Sequence, residues 1–190
     1  MINEQLESVG RKLKEESYGE VNKLMTALRM EMEHQVEIGL KAYRELEKAL
    51  EEADGPEVWY SAHSFLNSIA KISDILRWCE KKRDNGLQDD MISALTSENW
   101  SLLELRSNGF FEDFGDELED WALNEVNSEV LEKHIFSKEV ISTMDECEML
   151  RHLDPESHEF TFRGKTYDLA GYHKEILELK EYIQEGSYIC

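Results

Sequence analysis

Basic residues are scarce in this chain: 21 lysines and arginines stand against 42 aspartates and glutamates, for a formal net charge of −21. A phosphate backbone or an anionic membrane meets repulsion from such a surface, so direct nucleic-acid binding is disfavoured and a basic protein partner is favoured. Cysteine is sparse as well. Cys79, Cys147 and Cys190 match neither a CxxC metal knuckle nor an even disulfide framework, which points to a reducing, cytoplasmic setting. No run approaches the ~20 apolar residues of a membrane span, and the opening MINEQLESVGRKLKEESYGE is polar and amphipathic, without the apolar core of a signal peptide. Catalytic signatures are missing too. GxGxxG, GxxxxGK(S/T), GxSxG and HExxH are all absent, and His34, His63, His134, His152, His158 and His173 are dispersed. No cofactor is expected.

What is present is a strong helical pattern. With 190 residues of which 41% are apolar, the chain is long enough for one sizeable core, and no composition break divides it. The reading is a single, mainly α domain over residues 1–190: a helical bundle with long antiparallel helices and a small C-terminal β hairpin. Residues 1–18 are set apart as an N-terminal extension. Val21, Leu24, Leu28, Met32, Val36, Gly39, Tyr43, Leu46 and Leu50 recur at steps of three or four, which keeps one apolar stripe on a single helix face. Asp54-Gly55-Pro56 stops that helix and starts another, because proline is tolerated in a first turn and not in an interior. In the second helix Val58, Ala62, Phe65, Ile69, Ile72 and Leu76 make a stripe that Trp59, Leu66 and Trp78 widen. Cover on more than one side is expected, which makes this the central helix.

Lys81, Lys82 and Arg83 suit the end of that helix, and Asn85-Gly86 a reversal. A short helix over about 87–95 follows. Thr96 or Ser97 is then placed to cap a further helix carrying Trp100, Leu103 and Leu105, until Ser107-Asn108-Gly109 interrupts it. Past residue 134 the period changes. Alternation of Phe160 and Phe162 with Thr161 and Arg163 predicts a hairpin within 145–168, with turn residues around Asp154-Pro155-Glu156-Ser157 and at Gly164-Lys165. A closing helix over 169–185 presents Tyr172, Ile176, Leu179 and Ile183 inward.

The densest charge lies between these regions. Arg106 is followed by Glu112, Asp113, Asp116, Glu117, Glu119, Asp120, Glu125, Glu129 and Glu132, and no base intervenes before Lys133. Phe111, Phe114, Leu118, Trp121, Leu123 and Val126 give the same segment an apolar face, so its carboxylates are expected on the solvent side of a helix. Hard cations favour carboxylate oxygens, yet the spacing does not fit an EF-hand loop, and no metal site is assigned. Glu31 and His34 form a single ExxH, whereas a di-iron bundle needs two such pairs and two further glutamates. His63 sits in the apolar stretch YSAHSFLNSIAKIS, where a proton acceptor or donor could be functional but a buried histidine bonded to a neighbouring carbonyl is the commoner role.

Two stretches carry a resemblance. HSFLNSIAKISDILRW, from His63 to Trp78, and NGFFEDFGDELEDW, from Asn108 to Trp121, together with the tail EFTFRGKTYDL and its helix, resemble a bacterial family of uncharacterised helical proteins related to the HEPN superfamily. The similarity covers roughly residues 20 to 185. It implies a helical scaffold that forms a homodimer, and in active members a metal-independent ribonuclease whose arginine grips the scissile phosphate while a histidine moves protons. Here the arginine position falls on Asn108, or on Arg106 with a longer spacing, and the histidine position falls on Asp113. An aspartate with a reference pKa near 4 is ionised at neutral pH, repels phosphate and makes a poor acid.

The expectation is therefore a non-catalytic HEPN-like protein-interaction module, in a bacterial defence or toxin and antitoxin context. Glu112, Asp113, Asp116, Glu117, Glu119 and Asp120 form its interaction face. Two alternatives stand beside it: an acidic mimic of nucleic acid that inhibits a basic protein, and a divergent metal-independent ribonuclease using Arg106, Asn108 and Asp113.

Overall fold

The computed structural model describes residues 2–84, 93, 95–96, 98–105, 119, 123, 133–137, 150–162 and 164–185, with 2–21, 133–134 and 185 as backbone only. Two helices, α1 (Ile2–Glu51) and α2 (Gly55–Asp84), form an antiparallel hairpin. Their junction satisfies the backbone groups that helix ends leave open. The Asp54 amide donates to the Ala49 carbonyl at 2.9 Å and the Ala53 amide to Leu50 at 3.3 Å, with Ala53 in the left-handed region at φ 55°. This is a Schellman stop. The next helix starts on the following residue, where the Asp54 carboxylate accepts from the Glu57 amide at 3.3 Å. Pro56 lies within the first turn of α2, as expected.

On α1, Met32, Val36, Gly39, Tyr43 and Leu46 are buried, and Leu28 and Leu50 half-buried. Leu24 departs from the predicted stripe: it is 42% exposed, and Met25 takes its place beside Cys79. The reason is the period of the seam. Met25, Met32, Gly39 and Leu46 are spaced by seven, so the buried line follows a two-helix packing repeat and drifts from the steps that lead to Leu24. Helix α1 begins at Ile2, so the backbone of residues 2–18 continues the same helix.

In α2 the whole stripe from Val58 to Leu76 is buried, as are Trp59 and Leu66, while Trp78 is half-buried under the Lys82 ammonium. The next described element corrects an expectation. In place of a helix capped by Thr96 or Ser97 there is one 3-10 turn, Ser101–Glu104, with Trp100 extended ahead of it. Trp100 donates its indole N–H to the Leu95 carbonyl at 2.8 Å. Leu102 and Leu105 are buried, and Leu103 is half-buried.

The sheet is larger than one hairpin. Strands β1 (Lys133–Ile135), β2 (Arg151–Leu153), β3 (Glu159–Phe162) and β4 (Lys165–Asp168) lie in that order, with β1 parallel to β2 and the other pairs antiparallel. Both turn sites read from the sequence are used, and Gly164 takes the positive φ of 73° that the tight turn requires. The parallel strand β1 went unforeseen, because three residues with one apolar side chain, KHI, give no alternation to detect.

Helix α3 (Leu169–Glu185) closes the fold with Tyr172, Ile176, Leu179 and Ile183 buried. Gly39 allows the three helices to meet. A Cβ there would lie 2.7 Å from Ser68 Oγ on α2 and 3.2 Å from Ile176 Cδ1 on α3, so the close approach depends on a bare backbone. Arg29 on α1 donates to the Ile183 carbonyl at 2.6 Å, and Lys180 meets Glu37 at 2.7 Å, which fastens the far end of α3. Among the described residues no helix is long and apolar enough to cross a membrane.

Candidate functional site

Of the residues singled out by sequence, Arg106, Asn108, Glu112, Asp113, Asp116, Glu117 and Asp120 lie outside the described residues. Glu119 is described, and it is helical and exposed. Leu123, four residues on, is helical and 75% exposed. This corrects its assignment to the buried face.

The described polar groups converge elsewhere, on Tyr43. Helix α1 carries this residue into the core, where it is 3% exposed. Its ring lies flat on His173 of α3, with centroids 4.0 Å apart and planes 9° from parallel. Its hydroxyl is 2.7 Å from Nδ1 of His158, at the end of the β2–β3 turn, and Phe65 of α2 packs against it at 5.2 Å. His158 is held by its backbone: it adopts a left-handed φ of 55°, and its carbonyl accepts from the Leu169 amide at the start of α3. Within the same turn the buried Asp154 carboxylate accepts from the amides of Glu156 at 2.8 Å and Ser157 at 3.1 Å.

Burial, helped by the charges of Glu47 and Asp168, pushes the Tyr43 phenol up to about 12. Burial lowers His173 below its ordinary 6.5; Glu47 opposes that shift, and Arg44 and His158 reinforce it. At neutral pH Tyr43 is therefore a protonated phenol and His173 a neutral imidazole. The Tyr43 hydroxyl shares its hydrogen bond with His158 and not with the stacked His173, a phenolate is out of reach there, and the buried ring offers no face to a substrate. The arrangement serves as a polar tie between three elements.

A second cluster is built the same way. His63 of α2 lies 3.4 Å from Arg151 of β2, and its ring meets Phe160 of β3 at 6.0 Å and Trp59 at 6.3 Å. His63 is thus half-buried, packed among aromatic neighbours and beside Arg151. Glu31 and His34 of the lone ExxH are both exposed, and Glu31 accepts from Gln35 at 2.7 Å. Among the described residues no group of three or more histidine, cysteine, aspartate or glutamate side chains could hold a metal ion. Comparison with protein-family models, curated proteins and solved structures returned no match.

Sequence reasoning missed Tyr43, His158 and His173 as a unit, and also Glu175. The Glu175 carboxylate on α3 accepts from the Ser101 amide at 2.7 Å and the Leu102 amide at 2.8 Å. It supplies the cap that the 3-10 turn lacks locally. Partners 73 and 74 residues apart leave no periodic signal.

Proposed function

We propose that this chain is a non-catalytic, HEPN-like protein-interaction module whose acidic segment engages a lysine- and arginine-rich surface on another protein. One observation carries the reading: between Glu112 and Glu132 nine carboxylates occur with no basic residue among them. A local field of that density attracts basic surfaces at long range and repels RNA from any chemistry nearby. Glu119 and Leu123 are each exposed, which supports a surface that offers charge together with an apolar contact. The histidines and tyrosines of the described clusters are committed to packing, which also favours binding over catalysis.

The test is incubation of the chain with a mixed labelled RNA panel at neutral pH in the presence of chelator, beside Arg106→Ala. No turnover is expected from either protein. Cleavage that disappears in Arg106→Ala would establish a metal-independent ribonuclease and overturn the reading, because Arg106 is the cation that a longer motif spacing brings to the arginine position.

A further inference from the structure

We propose that the open end of the α1–α2 hairpin is a basic docking surface, and that its occupant is the acidic segment of a second copy of this chain. The inference rests on the reading just given and names the lysine- and arginine-rich surface which that segment engages.

Charge is divided unevenly over the hairpin. Residues 8–30 and 71–84 hold ten basic and six acidic residues, whereas the rest of the chain holds eleven basic and 36 acidic ones. The antiparallel packing brings those two stretches together: Met25 of α1 and Cys79 of α2 share a small buried cluster, with Leu28, Ile75 and Trp78 packed on it. At a rise of about 1.5 Å per residue, the five residues of α2 beyond Cys79 draw level with α1 at about residue 20. The backbone that carries Arg11, Lys12 and Lys14 therefore runs on just past the end of α2, where Lys81, Lys82 and Arg83 lie. Apolar surface accompanies the charge. Leu24 is exposed, and Trp78 is half-buried with the Lys82 ammonium 5.2 Å from its ring centroid.

The acidic segment complements this surface in both respects. Its nine carboxylates from Glu112 to Glu132 are interleaved with Phe114, Leu118 and Trp121. Two copies at −21 repel each other on average, so charge selects the arrangement that sets the basic end of one against the acidic segment of the other. The chain's own segment is poorly placed to do the same. Ile135 of β1 comes within 3.9 Å of where a Cβ on Gly55 would stand, which puts β1 at the closed end of the hairpin. From Gly55 to Lys81 helix α2 rises about 40 Å. The dozen residues between Asp120 and Lys133 span at most about 45 Å fully extended, so the segment reaches its own basic end only when drawn out straight. A second copy meets that end with no such demand.

Sedimentation velocity on the full chain, over a concentration series at low and high salt, tests the contact. The basic-end variant carries Arg11→Gln, Lys12→Gln, Lys14→Gln, Lys23→Gln and Lys81→Gln. Its control, with equal charge loss, carries Lys41→Gln, Arg44→Gln, Lys48→Gln, Lys165→Gln and Lys174→Gln, all at exposed positions. An acidic-segment variant has Glu112, Asp113, Asp116, Glu117, Glu119 and Asp120 converted to their amides. Wild type is expected to associate at low salt, with a dissociation constant at least about tenfold higher at high salt. The control should follow it, and the basic-end and acidic-segment variants should each sediment as monomers. An equimolar mixture of those two variants should associate again, because one supplies the intact end and the other the intact segment. A monomeric wild type at low salt, equal loss in the control, or a mixture that stays monomeric overturns the contact. Binding of a lysine-rich peptide to the acidic segment of a chain that does not self-associate overturns this inference and leaves the reading beneath it standing; absence of peptide binding overturns both.

Discussion

Replacing Phe160 by alanine is expected to remove about 3–5 kcal/mol of stability, the range for deleting a fully buried phenylalanine ring. Phe160 is wholly buried on β3, opposite Leu153 of β2 and Tyr167 of β4 in the strand register. Its ring meets Trp59 edge-on at 6.0 Å, His63 at 6.0 Å and Tyr167 at 6.3 Å. Two of these contacts, to Trp59 and His63, join the sheet to α2. Truncation leaves a cavity between two layers, and those layers cannot close without breaking the strand register. Phe160→Leu refills most of that volume and should cost no more than about 1.5 kcal/mol. Urea unfolding followed by far-UV circular dichroism measures both changes. A loss below about 1 kcal/mol for Phe160→Ala would mean that the sheet does not depend on this ring.

Glu175→Ala is expected to cost about 2–3 kcal/mol, because a carboxylate bonded to two backbone amides is a charge-assisted contact and its removal strands both donors. Of the two, Leu102 matters more: it is fully buried, whereas Ser101 is exposed and water can replace its bond. Glu175→Gln keeps an oxygen acceptor and should lose about half as much. The two variants therefore separate the bond from the charge. Hydrogen exchange localises the effect, with faster exchange at Ser101 and Leu102 expected ahead of any change in α1 or α2. Equal stability of Glu175→Ala and the wild type would show that the 3-10 turn is held by its apolar contacts alone.

These two residues also mark the boundary of what could be read from the chain. The helices were legible because Val58 to Leu76 and Tyr172 to Ile183 repeat with the helical period, and burial follows period directly. The break between α1 and α2 was legible because Asp54, Gly55 and Pro56 are consecutive, but the left-handed residue that stops α1 is Ala53, which carries no such mark, and Gly55 opens α2. Phe160 stood out by alternation, but its partners on α2 lie about a hundred residues earlier, and no pattern within β3 names them. Glu175 and the Tyr43 group are of the same kind, since a carboxylate or imidazole on an exposed-looking helix position carries no mark of the distant amide or hydroxyl it will meet. Leu24 and Leu123 failed for a different reason. Each fits a helical stripe, but the stripe alone does not fix which neighbour covers it, and packing on α2 selected Met25 over Leu24. Of the proposed interaction face, Glu119 alone lies among the described residues, where it is exposed.

The proposed activity depends on where the charge sits, and not merely on how much of it there is. The deciding measurement is the affinity for a lysine-rich helical peptide at low and high salt, made on three proteins. These are the wild type, a variant with Glu112, Asp113, Asp116, Glu117, Glu119 and Asp120 converted to their amides, and a control with the same change at Glu33, Glu51, Glu52, Asp74, Glu178 and Glu181. All six control positions are exposed, five on α1, α2 and α3 and Glu52 in the turn after α1, so both variants lose the same total charge. Exposed pairs contribute up to about 1 kcal/mol each, so the first variant should bind at least about tenfold more weakly and lose most of its salt dependence, with the control within about threefold of wild type. Equal weakening of the two variants would show a diffuse charge effect with no dedicated face, and would contradict the assignment of this chain as an interaction module built on its acidic segment.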